Sequence, residues 1–518
     1  MNLKSKPFNV SIAILGHVDS GKTTLAKMIS TTKSTAAFDK SPQSQERKIT
    51  LDLGFSSTKI PIPEHLQKRA EEMQIKEIQF TFVDCPGHAS LIRTVVGGSQ
   101  IIDMAIMVID ITKGIQTQTA EDFIIASIWT NKMVIVLNKT DLLPEEKLKK
   151  RIELLEKHIK KALSDSPFGN SPIVSVSALQ SKGNELVMKE LQNMIEIPER
   201  INTKNPFVML VDHCFNLKGK GTIITGTIIQ GSCSVSDTIE FPSLNEQRRI
   251  KSMQIFHEDV LQAEKGDRVG ICISQFDSKL FERGIVCQPG AISSFTGAIA
   301  LFNRIKFFKH PIKSRSKLHI TIGHETVMTK FLFFKPPKEK KEVSFDNFTT
   351  DLEYLYVDEF KQEDSPIFAL LKFEKKILAL NNSLLIGGKL EIPLESNECR
   401  IAFSGQIING FNWETESKSL KENLKIASFK FRTGLVDRVQ DSSTLIGKDL
   451  FGKGAEIKRY SGTQVSIENK DGKKTDGTII SSFGKTGKFK IRIDSNDSSW
   501  IEVGNIIKMR KTKYVFLV

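Results

Sequence analysis

The chain has 518 residues, with 74 Lys+Arg against 60 Asp+Glu, a formal charge of +14 and a pI near 9.2. At about 150 residues per domain that length predicts three or four domains, and the basic balance favours a polyanionic partner. No apolar stretch reaches the ~18 residues of a membrane-spanning helix; the best candidate, 101–109, is short and carries Asp103. Six cysteines stand at least fifteen positions apart and form no C-x-x-C pair, which argues against a disulfide framework and a structural zinc and fits a reducing compartment. Residues 1–7 lead into the first apolar run without a signal-peptide core, so a cytoplasmic protein is expected, with nuclear entry left open.

Residues up to about 203 alternate short apolar runs with helical patterns, the signature of βαβ units and a mainly parallel sheet. The first run, Val10-Ser11-Ile12-Ala13-Ile14-Leu15, is followed by Gly16-His17-Val18-Asp19-Ser20-Gly21-Lys22-Thr23 and then by Thr24-Leu25-Ala26-Lys27-Met28-Ile29. Strand, glycine loop and helix in that order make a phosphate cradle, because glycines let backbone N–H groups turn onto oxyanions and the helix adds its positive end. Asp19, Ser20, Gly21, Lys22, Thr23 and Thr24 are therefore candidate nucleotide residues. Lys22 would reach the β- and γ-phosphates, and the Thr23 hydroxyl suits Mg²⁺. In the loop 46–55, Thr50 is a second candidate ligand of Mg²⁺, contacting the γ-phosphate through its backbone and released after hydrolysis.

Further runs are expected as strands at 78–84, 105–110, 133–138 and 172–177, with a helix carrying Leu148, Ile152, Leu155, Ile159 and Leu163 on one stripe. Ligands in such sheets bind at the carboxyl ends of strands. There Asp84-Cys85-Pro86-Gly87-His88 lets Asp84 reach the metal through water, Gly87 offer its N–H to the γ-phosphate, and His88 hold the attacking water in line with phosphorus. Cys85 reads as a packing residue. Asn138-Lys139-Thr140-Asp141 supplies base specificity, since a carboxylate at Asp141 can accept from the ring N–H and exocyclic amine of guanine, donors that adenine lacks on that edge. Ser177-Ala178-Leu179 would close the base pocket. GTP/GDP and Mg²⁺ are thus the expected cofactors, and Lys22 and His88 the expected catalytic groups.

Taken together, Gly16 to Thr23, Thr50, Asp84 to His88 and Asn138 to Asp141 resemble the translational GTPases. Signalling GTPases usually lack a histidine at the position of His88. The resemblance is more specific at residues 34–40, at Thr50-Leu51-Asp52-Leu53-Gly54-Phe55 and at 84–94, which are similar to the selenocysteine-specific elongation factors of eukaryotes. It implies that Val18 and Ile49 form an apolar gate beside His88, and that the ribosome opens it. Lys48 departs from the family's usual glycine, which restricts positive φ in that switch.

From 206 the pattern changes to short alternating strands with glycine turns. The resemblance assigns 1–203 to a GTP-binding domain, 204–295 and 296–410 to two β-barrels, and 411–518 to a C-terminal β-rich domain, giving a multidomain α/β P-loop GTPase followed by β domains. Residues 336–365 read as a mobile insertion in the second barrel, and His319 and His324 as strand and turn residues. The same resemblance places an aminoacyl pocket on Asp212, His213 and Arg268. An esterified selenocysteine is anionic at neutral pH and its serine precursor is not, so Arg268 and His213 would reward the selenolate while Asp212 pairs with the α-ammonium. The plain alternative is that Arg268 makes a surface ion pair.

The last fifth of the chain carries 21 Lys+Arg against 13 Asp+Glu from 411 to 518. Lys and Arg interleaved with Tyr460, Phe483 and Phe489 could contact RNA. The implied function is a monomeric factor that carries selenocysteinyl-tRNA to the ribosome at recoded UGA codons and hydrolyses GTP on docking, with the C-terminal domain communicating with the selenocysteine insertion element of the mRNA through its binding protein, or contacting the tRNA. Two rival readings stay open: an initiation-factor-like subunit carrying initiator tRNA, and a regulatory GTPase without tRNA cargo.

Overall fold

The computed structural model describes residues 7–33, 53–86, 102–197, 204–337, 344–389, 391–393, 396, 398–452, 455–484, 486–493 and 500–517. Ile49, Thr50, Gly87 and His88 lie outside these. The elements of the first part are β1 (Phe8–Leu15), α1 (Lys22–Ile29), β2 (Thr32–Lys33), β3 (Gly54–Ile60), α2 (Gln67–Glu72), β4 (Ile78–Asp84), β5 (Met104–Asp110), α3 (Thr117–Trp129), β6 (Met133–Asn138), α4 (Glu145–Leu163), β7 (Ile173–Ser175) and α5 (Asn184–Met194).

Strands whose residues are apolar on both faces are stable only between two helical layers. Every residue of β4, β5 and β6 is buried, and two hydrophobic clusters cover opposite faces of the sheet, one around Met107, Ile109, Phe123 and Ile135, the other around Ile14, Leu25, Val108 and Val187. The strand order is β2-β3-β4-β1-β5-β6-β7. β1, β4, β5, β6 and β7 are parallel, while β3 runs antiparallel to β4 and β2 to β3. The chain emerges from β1, β4, β6 and β7 at one edge, which gathers residues 16–23, 84–86, 138–141 and 177–179. On α4 the buried residues Leu155, Ile159 and Leu163 form one stripe of an otherwise Lys/Glu-rich helix.

The next strands alternate buried and solvated residues, and sheets of that pattern hide one face by closing on themselves. Strands 238–241, 284–287, 208–217, 221–230, 268–273 and 246–255 pair in that order and close through 238–241 with 246–255. A second closed barrel runs 317–322, 384–388, 401–411, 294–304, 367–378 and 325–335. Its core is aromatic: Phe302 stacks on Phe403 at 4.3 Å, and Phe331 on Phe333 at 5.8 Å. The fold class expected from the sequence holds.

The chain divides into two compact units, one of residues 1–333 and 358–416, the other of 334–357 and 417–518. In the second unit, strands 426–439, 444–448, 488–493, 474–483, 464–468 and 506–514 close into a further barrel around Val436, Ile467, Ile479, Phe489, Ile491 and Ile507. Residues 344–357, expected within a mobile insertion, are built into this unit. The strand Tyr354–Val357 runs parallel to 426–427, Tyr354 is fully buried against Phe334 and Phe348, and its hydroxyl donates to the Thr349 carbonyl. The helix Trp413–Asn423 was not expected either; it buries none of its residues, so no apolar stripe betrays it. No helix among the described residues is long and apolar enough to cross a membrane.

Candidate functional site: a phosphate cradle and a paired cationic cleft

The cradle is shaped by what cannot fit there. Gly16 has φ 139°, and a Cβ on it would lie 2.2 Å from the Val108 carbonyl oxygen; Gly21 has φ 93°, and its Cβ would meet the Asn138 amide at 2.2 Å. Only glycine lets the loop lie this close to β5 and β6. Lys22 opens α1 and curls its ammonium back onto the Gly16 and His17 carbonyls at 2.7 and 2.9 Å. Asn138 ties the site together: its amide nitrogen donates to the Ser20 carbonyl at 2.9 Å, and its oxygen accepts from the Ala178 N–H at 3.0 Å. Lys139, at φ 69°, sends its ammonium to Asp110 at 2.8 Å, and the Ser177 hydroxyl donates to the Asp141 carboxylate. The structure therefore brings residues 16–23, Asp84, Asn138 to Asp141, Ser177 and Ala178 to one sheet edge. Asp19, Thr24 and Leu179 are exposed there, and Val18 is half-buried.

The Thr23 hydroxyl donates to one oxygen of Asp84 at 2.7 Å. The other Asp84 oxygen, the Ser20 hydroxyl and His17 Nδ1 are buried without a hydrogen-bond partner among the described residues. Burial pushes the Asp84 carboxyl up to about 6, against the pull of the Thr23 hydroxyl and the Lys22 and Lys27 ammonium groups. A hydroxyl beside an under-satisfied buried carboxylate is a hard-oxygen donor set, and it fits Mg²⁺. Among the described residues no group of three or more His, Cys, Asp or Glu could hold a metal by itself.

Sequence reasoning missed Asp122. It lies on α3, buried, and accepts from the Gly16 N–H at 3.1 Å. Burial raises its carboxyl to about 7, opposed by Lys22 and assisted by the neighbouring Glu121 charge. Because the folded chain then holds this proton more tightly than the unfolded one, the group's contribution to stability is present at low pH and is lost as pH rises from the ordinary carboxylate range through about 7. Asp122→Asn keeps an acceptor for Gly16. In thermal unfolding of the nucleotide-free protein it should melt several degrees above the parent at pH 8, by less at pH 5, and close to it at about pH 4 and below. A variant less stable at pH 8 would mean that the ionised form is required.

The second cluster starts from an irregular strand. The pairing of 208–217 with 221–230 slips between Val211 and His213, leaving Asp212 in a bulge that re-aims its side chain. Arg268, the first residue of strand 268–273, meets it with a two-pronged ion pair at 2.5 and 2.9 Å, and the Thr225 hydroxyl donates to the same carboxylate at 3.0 Å. Only 6% of Arg268 and 7% of Asp212 is exposed, so this is not the surface pair considered above. Burial alone would raise the Asp212 carboxyl, but the Arg268 guanidinium, with His213 and His324, outweighs it and holds the group below its usual range. His213 Nε2 lies 3.9 Å from Asp212. The three pocket residues are thus together, although Asp212 and Arg268 already engage one another. The guanidinium carbon also lies over the Phe55 ring of β3, 3.1 Å from its centroid. A cleft of about 520 Å³ opens beside it, bordered by Lys220, Thr225, Lys251, Gln254 and His257.

Two further ties join the sheet domain to the barrels. The Asn9 amide donates to the Gly266 carbonyl at 2.6 Å, and Arg400 grips Glu121 of α3 at 2.9 and 2.6 Å, both side chains almost wholly buried. Ile386 and Ile401 of the second barrel share a hydrophobic cluster with Phe123 and Ile124.

The elongation factor Tu GTP-binding domain family matches residues 8–197. The third domain of eukaryotic selenocysteine-specific elongation factors matches 299–405, and the eEFSec C-terminal RIFT domain matches 422–514. With the cradle at the sheet edge and barrels following it, the chain is a translational GTPase. It is 41% identical over 522 residues to the selenocysteine-specific elongation factor of Mus musculus, covering 94% of this chain and 88% of that one. Against the selenocysteine-specific elongation factor of Methanocaldococcus jannaschii it is 31% identical over 450 residues, covering 86% and 89%. The crystal structure of translation elongation factor SelB from Methanococcus maripaludis in complex with the GTP analogue GppNHp superimposes with a TM-score of 0.75 at 27% identity, over 99% of this chain and all of that one. The chain belongs to the selenocysteine-specific elongation factor family.

Proposed function

We propose that this chain, as a monomer in the cytoplasm, binds selenocysteinyl-tRNA in its GTP form and delivers it to the ribosome at recoded UGA codons, hydrolysing GTP on docking. The observation that carries the reading is the Arg268 contact. Arg268 lines the cleft, and its guanidinium is shared between Asp212 and Phe55, two residues into β3 and just past the segment that holds Thr50. An ordering of that segment by nucleotide is then felt at the cleft through one side chain.

In this reading Asp19, Ser20, Gly21, Lys22, Thr23 and Thr24 surround the phosphates, while Asp141, Ser177, Ala178 and Leu179 surround guanine. Asn138 and Lys139 hold those two loops in register. Thr23 and Thr50 directly, and Asp84 through water, would hold Mg²⁺, which supplies charge neutralisation at the transferring phosphoryl group. Gly87 donates to the γ-phosphate, His88 orients the attacking water, and Val18 with Ile49 screens that histidine until docking. An esterified selenolate competes for the outer donors of Arg268 with help from the neighbouring His213, whereas a neutral serine cannot. The C-terminal unit faces RNA, whether the cargo or the mRNA element with its binding protein.

The test is equilibrium binding of selenocysteinyl-, seryl- and initiator-tRNA with a non-hydrolysable GTP analogue and with GDP. Tight binding of selenocysteinyl-tRNA alone, and only with the triphosphate, is expected. Preference for initiator tRNA, or binding of none, would replace this reading with one of its two rivals.

A further inference from the structure

The first half of α3 makes contact with the phosphate loop on one side and with the second barrel on another. Its residues Glu121 and Asp122 are consecutive, so their side chains leave the helix about 100° apart. Glu121 is gripped by Arg400 at 2.9 and 2.6 Å, while Asp122 accepts from the Gly16 N–H at 3.1 Å. All three side chains are almost wholly buried. One turn before Asp122 the buried Gln118 sits beside the His17 imidazole, and just beyond it Phe123 and Ile124 share a cluster with Ile386 and Ile401 of the barrel.

Each end of this line of contacts is fixed. The Arg400 carbonyl accepts from the Lys389 N–H at 3.0 Å and would lie 2.2 Å from a Cβ on Gly388, so Arg400 is tied to the barrel frame. Gly16 is held twice, by Asp122 at its N–H and by the Lys22 ammonium at its carbonyl, 2.7 Å away. A buried ion pair could serve only to fasten helix to barrel, and Glu121 with Arg400 already does so. Packing gives no reason for a carboxylate at 122, which stands beside a like charge and against a loop shaped to bind phosphate. An apolar side chain would seal that position at no electrostatic cost.

We propose that Asp122 is a positioning residue for nucleotide binding, and that the Glu121–Arg400 pair makes its grip on the phosphate loop depend on the seating of the second barrel. With the barrel seated, Glu121 is neutralised, α3 is fixed, and the Gly16 N–H has its acceptor in place, so the remaining N–H groups of the loop are preorganised toward the phosphates. With the barrel displaced, two adjacent carboxylates repel and the helix loses its polar tie, so the loop loosens and nucleotide leaves faster. Linkage makes the effect reciprocal: bound nucleotide must in turn hold the barrel to α3. The inference rests on the guanine-nucleotide cradle and not on the identity of any tRNA.

The experiment follows release of a fluorescent GDP from the full chain with Mg²⁺ present, chased by unlabelled GDP. Asp122→Leu, which removes the acceptor, should speed release about 5- to 100-fold, whereas Asp122→Asn, which keeps it, should stay within about threefold of the parent. Replacing the ion pair by Glu121→Leu with Arg400→Met leaves no stranded charge and should speed release about fivefold or more. Adding Asp122→Leu to that pair should give no more than Asp122→Leu alone, because both act through one contact. Amide exchange supplies the reciprocal reading: GDP should slow exchange in strand 401–411 of the parent and of Asp122→Asn but not of Asp122→Leu. Should Asp122→Leu fail to fold, Asp122→Ala takes its place. Parental release from Asp122→Leu, equal acceleration by the Asn and Leu variants, effects that multiply in the triple variant, or exchange in 401–411 indifferent to GDP would each overturn the proposal. No tRNA enters the assay, so the aminoacyl reading and this one fail separately.

Discussion

Arg268→Ala is expected to destabilise the first unit by about 3–5 kcal/mol and to remove the preference for selenocysteinyl- over seryl-tRNA. The stability loss follows from burial: without the guanidinium, Asp212 is a carboxylate with almost no access to water and only Thr225 as a remaining neutral donor. The loss of preference follows from charge. A hydrogen bond to an ionised partner contributes about 1.5–3 kcal/mol, so selenocysteinyl-tRNA should weaken about 10- to 100-fold more than seryl-tRNA. Denaturant titration reads the first effect, and binding with a non-hydrolysable GTP analogue reads the second. The two can be separated by Asp212→Leu with Arg268→Met, because an apolar pair of similar volume can replace a buried ion pair with little loss of stability. That double variant should fold well and still fail to discriminate. Equal loss of both tRNAs in Arg268→Ala would show that the pair serves only to hold the barrel.

A comparable cost is expected from Arg400→Ala. Arg400 donates through two side-chain nitrogens to Glu121, at 2.9 and 2.6 Å, and both side chains are nearly sealed from water. Removing it strands a buried carboxylate at a loss of about 3–5 kcal/mol. Arg400→Lys should recover only part of this, since a single ammonium cannot reproduce the parallel fork. Denaturant unfolding followed by amide exchange would locate the damage, with the amides of α3 and of strand 401–411 exchanging faster than those of β1 and β4. Glu121 adjoins Asp122, which accepts from the phosphate loop, so an uncompensated charge at 121 should also raise the Asp122 carboxyl further. Unchanged exchange in α3 would mean that the hydrophobic contact of Ile386 and Ile401 suffices by itself.

These two expectations rest on features with unequal visibility in the sequence. The cradle was legible because its chemistry is local: Gly16, Gly21, Lys22 and Thr23 sit within one loop and one turn, where spacing alone dictates geometry. Asp84 and Asn138 to Asp141 were legible because they end apolar runs. β3 was not, since Ser56, Ser57 and Thr58 are polar yet buried and mask the strand pattern. Asp212, His213 and Arg268 were named from resemblance, and no residue pattern foretold that a bulge would turn Asp212 onto Arg268. Glu121 with Arg400 gives no local signal at all, because each is an ordinary charged residue until folding brings the two together. The strand Tyr354–Val357 was hidden for a similar reason: its pairing partner, 426–427, lies far along the chain, beyond three strands of the second barrel.

Asn138 is one planar amide spanning two loops, with its nitrogen on the phosphate loop and its oxygen on the loop after β7. The loops it joins cannot be retuned one at a time. A lineage drifting toward another purine would disturb its grip on the triphosphate at the same step, so selection on either half of the nucleotide polices the other.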